Sequence, residues 1–223
     1  MKEYTMCPVT KSRARELIIA NHYSHKWSSC RYALGLYNKT GVICGVAIYG
    51  YPVGRRVVTS ISPIVKSDEV LELTRLWLRD EEPHNTESYF LGCTFDWLRI
   101  HTNIRVLISY SDPMYGHLGI IYQATNWWYQ GNATMLVKGY YHVVLGEQLH
   151  PRTCVAKHGS VKASILTQID PDYHRIEMPH KHRYLYVLHK KDRKFISSTL
   201  KHPILPYPKG EDYIREPNRR GFA

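Results

Sequence analysis

The stretch RYALGLYNKTGVICGVAIY, residues 31–49, constrains the fold more than any other. Two apolar runs, Arg31–Tyr37 and Val42–Tyr49, flank Asn38-Lys39-Thr40-Gly41. Apolar runs around a turn of this kind read as a β-hairpin. A lone hairpin is marginal in water, so the rest of the chain must supply strands and helices to bury it. Val70–Leu78 (VLELTRLWL) sets Glu72, Thr74 and Arg75 against apolar neighbours and reads as a third strand. Glu87–Ile100 puts Phe90, Leu91, Thr94, Trp97 and Leu98 on one helical face, with Asn85, Thr86 or Ser88 as its cap. An earlier helix is expected over 10–20, capped by Thr10 or Ser12. Arg105–Ser109 is a buried strand, and the Ile/Tyr/Ala/Trp segment before Gly131 is an aromatic helix. Beyond it, 133–145 reads as one long strand or a pair, 161–169 as a helix and 182–189 as a strand.

The order is helix, hairpin, strand, helix, strand, helix, strand, which is a mixed α/β (α+β) class. Residues 1–200 are expected to form one domain. Residues 201–223, proline-rich and basic, read as an extended tail. Lys and Arg number 30 against 19 Asp and Glu, a formal charge of +11 that favours polyanionic partners. Eighteen tyrosines could stack on bases beside those cations. No apolar run reaches membrane-spanning length, and the first residues do not form a signal peptide, so no membrane partner is expected. Five cysteines without CxxC spacing read as reduced thiols.

The chemistry concentrates in LISYSDPMYGHLGIIYQATNWWYQG, residues 107–131. An apolar strand ends in Ser109, Ser111 and Asp112. It then meets His117, set between Gly116 and Gly119, where backbone can approach a ligand closely. Asp112 has an alternative as an Asx-turn before Pro113, and His117 one as an ordinary helix-start residue. Arg75 is a cation inside an apolar strand pattern. It should meet a phosphate or carboxylate ligand, or pair with Glu72 or Glu87.

The blocks ANHYS (20–24), ELTRLWLRD (72–80), NTES (85–88) and SYSDPMYGHLGIIYQATNWWYQG (109–131) resemble the Mom DNA-modification proteins of Mu-like phages. HRYLYVL and LPYPK also look like segments of such proteins. The resemblance implies a GNAT-like acyltransferase fold, in which two central parallel strands splay apart around the acyl donor. Here those would be Val70–Leu78 and Arg105–Ser109. It also implies conversion of adenine in double-stranded DNA to a carbamoylmethyl derivative, which blocks host restriction, in the host cytoplasm.

A base amine is a poor nucleophile, so the reaction needs proton removal, positioning and oxyanion stabilisation. Asp112 is the candidate proton acceptor, oriented by Ser109 and Ser111. The superfamily resemblance makes Tyr122 a candidate general acid. It also sets His22 and Tyr23 at the acceptor, with adenine extruded from the duplex and stacked on Tyr23 or Trp27. Arg75, Asn85, Glu87, Ser88, Gly116, His117 and Gly119 are the candidate donor-binding residues.

The donor is acetyl-CoA or glycyl-tRNA. The superfamily cradles the pyrophosphate of coenzyme A in a glycine-rich loop at a helix start. The equivalent stretch here, RDEEPHNTES, has four acids and no glycine, and such charges repel pyrophosphate. Glycyl and carbamoylmethyl groups contain the same atoms, which makes glycyl-tRNA an alternative and tRNA a second polyanionic partner. His180, His182 and His189 lack an acid at metal-site spacing, so no metal ligands are assigned and metal dependence stays open. The competing class is a non-enzymatic nucleic-acid-binding protein; another is a GNAT acyltransferase with a different acceptor.

Overall fold

The computed structural model describes residues 4–113, 116–132 and 139–209. Its centre is a seven-stranded mixed sheet. In chain order the strands are β1 (Thr5–Pro8), β2 (Tyr32–Tyr37), β3 (Ile43–Gly50), β4 (Val70–Leu78), β5 (Val106–Ser111), β6 (Trp128–Asn132) and, after an inserted unit, β10 (His182–Val187). Their spatial order is β1-β2-β3-β4-β5-β10-β6. Every neighbouring pair is antiparallel except β4–β5, the central one. The hairpin forms as read: Asn38 Oδ1 accepts from the Thr40 and Val42 amides at 3.0 Å each, and Gly41 takes φ 76°.

The parallel pairing is short. β4 and β5 are in register over Val70–Val106, Leu71–Leu107 and Glu72–Ile108. Beyond that, β4 stays with β3 up to Leu78, while β5 stays with β10 up to Ser111. The β3–β4 register shifts between Ile48, opposite Arg75, and Tyr49, opposite Leu73. Thr74 is therefore the extra residue of a β-bulge, which bends a strand and increases its twist. The bulge falls where β4 must leave β5, and the gap opens there.

Helices cover both faces. On one side α3 (Thr86–His101) buries Phe90, Leu91, Phe95 and Leu98 against Leu34, Leu36, Leu71, Leu73 and Leu107. Each fully buried side chain of this size contributes about 1.5–3 kcal/mol. Trp97, expected on that face, is only partly buried, and Phe95 takes its place in the core. On the other side Ile61, Val65, Val70, Val106, Ile108 and Leu185 pack with Ile196 of α7 (Lys190–Ser197). Helix α1 (Lys11–Asn21), capped by Thr10 as expected, lays Ala14 and Ile18 on Ala33, Val46 and Ile48. A short helix α2 spans Arg55–Thr59.

Several elements differ from the sequence reading. The aromatic helix is one and a half turns, α4 (Ile120–Ala124), because Asn126 takes φ 60° and ends it. The tryptophans after it belong to the approach to β6 and to β6 itself, and Trp127 is fully buried. The long strand expected over 133–145 falls partly outside the described residues. Its described part is β7 (Tyr140–Val144). With β8 (Glu147–Leu149) and β9 (His174–Glu177) it forms a separate three-stranded sheet. Helices α5 (Pro151–His158) and α6 (Ala163–Ile169) close a small core of Val144, Leu149, Cys154 and Leu166. The start of the basic tail is extended and docked: Leu205 N–H donates to the Tyr129 carbonyl at 2.8 Å and Tyr207 Oη to the Trp127 carbonyl at 2.7 Å. No described helix is long and apolar enough to cross a membrane.

Candidate active site

A cavity of about 340 Å³ occupies the gap between β4 and β5. Its walls come from Leu73–Leu76 of β4, Tyr110–Asp112 at the end of β5, His22 and Tyr23 after α1, Glu87 of α3, and Gly116–Tyr122. A second cavity of about 550 Å³ shares His22, Tyr23, Leu76, Glu87 and His117 with it and runs outward along Arg79–Asn85. Together they make one cleft, with an inner half in the strand gap and an outer half over the β4–α3 loop.

Ser109 is the pin at the point of divergence. Its Oγ is 2.9 Å from the Leu73 carbonyl oxygen across the gap and 2.8 Å from the Tyr122 hydroxyl. One hydroxyl proton cannot serve both contacts, and a carbonyl can only accept. Ser109 therefore donates to Leu73 and receives the Tyr122 proton. Burial pushes the Tyr122 phenol well above its ordinary value; the Ser109 contact opposes this, and Tyr23, Glu87 and Glu72 reinforce it. Tyr122 stays protonated at neutral pH, as a proton donor must.

Ser111 and Asp112 follow on the same strand end, 5% and 7% exposed. Ser111 lines the cavity, and its Oγ finds no hydrogen-bond partner among the described residues. Asp112 Oδ2 meets Lys181 Nζ at 3.0 Å. Lys181 was not singled out from sequence as a site residue, because nothing local in HKHRY marks it for a carboxylate at the end of another strand. Gly116 and Gly119 both take left-handed backbone, φ 74° and 77°, and bend the chain so that His117 returns to the cavity wall.

The His22 and Tyr23 rings lie 4.2 Å apart between centroids, tilted by 30°, and Tyr23 lies 5.0 Å from the His117 ring. His22 Nδ1 accepts the Ser24 backbone N–H at 3.1 Å, which assigns the ring proton to Nε2. Burial, and then the charges of Arg75, His117 and His25, push His22 down to about 4, so it is neutral at physiological pH. Tyr23 is 51% exposed at the rim. Trp27, the alternative stacking partner, instead packs beside α1 with Ile18 and Ala33 and does not line the cleft.

Arg75 lines the cavity without pairing as expected. Nε donates to the Lys26 carbonyl at 3.0 Å and Nη1 to the Thr74 carbonyl at 2.6 Å, and no carboxylate lies within ion-pair distance among the described residues. Of the donor candidates, Asn85 and Glu87 reach the outer half of the cleft. Ser88 does not, because its hydroxyl turns back to the Asn85 carbonyl at 2.9 Å. Asn85 sits at the N-cap of α3 with φ 68° and no side-chain capping bond.

The outer half tests the fit of coenzyme A. Asp80, Glu82 and Glu87 line it, around the helix start that would take a pyrophosphate. Burial pushes the Glu87 carboxyl upward, a sign that no neighbouring cation compensates it. These residues do not suit a diphosphate.

Comparison with known proteins adds sequence and fold relatives. The model of the Mom protein family matches residues 3–209. The methylcarbamoylase mom of Escherichia phage Mu is 27% identical over 202 residues, spanning 88% of this chain and 80% of that protein. Among solved structures, a spermidine N-acetyltransferase mutant from Vibrio cholerae superposes with a TM-score of 0.51 at 7% identity, over 87% of this chain and 99% of that one. That likeness concerns the fold alone, and the fold is that of the GNAT acetyltransferases.

Proposed function

The chain belongs to the Mom protein family, and from that premise we propose that it transfers an acyl group to the exocyclic amine of adenine in double-stranded DNA. The relative in phage Mu carries the name methylcarbamoylase, which agrees with a carbamoylmethyl product. The observation that carries the reading is the cluster of Ser109, Ser111, Asp112 and Tyr122 in the strand gap. An amine entering there meets a carboxylate that can accept its proton and a phenol that can give one up.

The donor we infer is a glycyl ester on the 3′ end of tRNA, whose charge nearest the acyl carbon is an ammonium rather than a diphosphate. In the first step adenine N6 attacks the ester carbonyl carbon. The N6–C bond forms and the C–O3′ bond breaks. Asp112 accepts the N6 proton, Tyr122 turns its hydroxyl proton from Ser109 to the departing O3′, and exchange with water restores both groups. The product is a glycyl amide. Its free amine then attacks C6 of the ring through a five-membered transition state, and the amide nitrogen leaves C6. The result is a carbamoylmethyl group on N6, with no change in atoms or oxidation state. Tyr23, half exposed at the rim, offers its ring face to the extruded base, and His22, held neutral, donates from Nε2. The remaining positive surface holds the duplex by its phosphates. Modified adenine would be a poor substrate for restriction enzymes, and the setting is the host cytoplasm.

The test is mass spectrometry of nucleosides from plasmid DNA in cells expressing the chain, beside an Asp112→Ala control. The expected result is a deoxyadenosine adduct of glycyl composition that falls by about 10²–10⁴-fold in the control, with DNA binding retained. Unmodified DNA from a well-folded wild type would favour a nucleic-acid-binding role without catalysis.

A further inference from the structure

Three carboxylates surround the strand gap, and their surroundings differ. Asp112 is paired with Lys181. Glu72 lies within the fields of Arg75 and Lys181. Glu87 has neither: no hydrogen bond or ion pair reaches it among the described residues, and its only perturbation is burial. Arg75, a cation in the wall of the inner half, answers to Tyr23 and Glu72 instead. Glu87 nevertheless lines both halves of the cleft, at their junction, and its field reaches Tyr122.

A desolvated carboxylate without a partner is costly, and a binding site recovers that cost when a cation arrives. Helix position makes the arrangement more telling. Glu87 is in the first turn of α3, beside the amides that would serve a diphosphate. The protein has put its own anion where this fold otherwise receives the donor's. The acceptor amine is uncharged and enters from the His22–Tyr23 side, so it does not answer Glu87. The donor does, if it carries a positive charge close to its acyl carbon.

We infer that Glu87 is the donor-selecting residue: it binds the free ammonium of an aminoacyl ester, at the junction of the two halves of the cleft. This deepens the glycyl-donor reading and rests on it. Holding the amine as ammonium keeps it from reacting before acyl transfer. After transfer, Glu87 is placed to take the proton that the amine must lose before it attacks C6.

The experiment uses two stable amide analogues, 3′-deoxy-3′-glycylamidoadenosine and 3′-deoxy-3′-glycolylamidoadenosine, which differ only in ammonium against hydroxyl. Calorimetry at pH 7 compares the full-length wild type with Glu87→Gln, a near-isosteric change whose folding is checked by thermal melting. A hydrogen bond to a charged group predicts that the wild type prefers the ammonium analogue by about 10–150-fold, and that Glu87→Gln lowers the ratio to about one. Three results overturn the inference: a preference retained by Glu87→Gln, no preference in the wild type, or binding of neither analogue. A parallel reaction of wild type with glycyl-tRNA and duplex DNA reads the acyl-transfer function separately. An adduct there, with the preference unchanged in Glu87→Gln, keeps the function and removes the role of Glu87. A Glu87-dependent preference without any adduct keeps the role and removes the acceptor.

Discussion

Gly119→Ala should be the most damaging single-methyl change in the cleft. Gly119 takes φ +77°, and a Cβ there would lie 2.5 Å from Tyr184 Cε2, 2.7 Å from its Cζ and 2.9 Å from Tyr122 Cδ2. Tyr184 cannot yield easily. It is fully buried, its hydroxyl donates to the Leu118 carbonyl, and its backbone lies in β10 opposite Ser109. Left-handed backbone costs an L-residue about 1–2 kcal/mol, and forcing a group into a packed core costs about 1–3 kcal/mol. The sum is about 2–5 kcal/mol. Gly41→Ala is the internal control, since φ is +76° there but nothing lies within 4 Å of the added Cβ. It should lose only the conformational part. Urea titration of both variants measures the difference, and at this chain size melting should move by about 2–4 °C for each kcal/mol. Movement of Tyr122 should also slow modification by the folded Gly119→Ala protein. If the two glycines cost the same, the close packing described around Gly119 is wrong.

Stability should fall between pH 6.5 and about 4 because His22 is neutral in the fold and gains a proton more readily when unfolded. His117, His142, His150 and His202 are also shifted downward and act in the same direction. The urea midpoint of His22→Gln should therefore drop less than that of the wild type from pH 7 to 4.5; an equal drop contradicts the assignment. Ser109→Ala should cost about 1–3 kcal/mol, since Leu73 and Tyr122 both lose a buried partner. Urea unfolding checks this, and a cost below about 0.5 kcal/mol would mean that the strands do not depend on that pin. An adenine placed opposite a mismatch should be modified faster than a paired one, by about tenfold for each 1.4 kcal/mol of pairing removed. Equal rates would argue against extrusion of the base.

The parts of the fold that were legible in sequence are those where one period of apolar residues is long. β4 was read to its residue limits because VLELTRLWL is an apolar run of nine positions broken only by Glu72, Thr74 and Arg75, and α3 to within a residue at each end because its core face repeats over four turns. β1, β8 and β9 are three or four residues each, too short for any period, and their partners are set by tertiary packing. Helix α7 hid because Lys190–Lys194 is wholly charged and only Ile196 is buried. The site was legible where it is local. Ser109, Ser111, Asp112, His117 and Tyr122 share one strand end and the turn after it. His22 and Tyr23, distant in sequence, were placed beside them only through the resemblance; Leu73 and Lys181 could not be read, because only the splay of β4 from β5 and the return of β10 bring them in. The bulge that creates the splay left a faint trace: alternation in β4 slips at Thr74-Arg75, where Leu73 and Leu76 face the same core.

The charge pattern has a logic on the proposed reading. A net charge of +11 draws DNA to the molecule from a distance. Within the outer half of the cleft the balance reverses, with Asp80, Glu82 and Glu87 against Arg79. Over separations shorter than the ~8–10 Å screening length, such carboxylates repel a phosphate even on a basic protein. Adenine itself is uncharged and feels no such barrier. The backbone is thereby held at the rim, and what can enter is a base turned out of the helix. Ser111 and Asp112 are at most 7% exposed, so a stacked base could not reach them in any case. The same acidic wall that discourages a diphosphate donor therefore also sets which part of the acceptor comes inside.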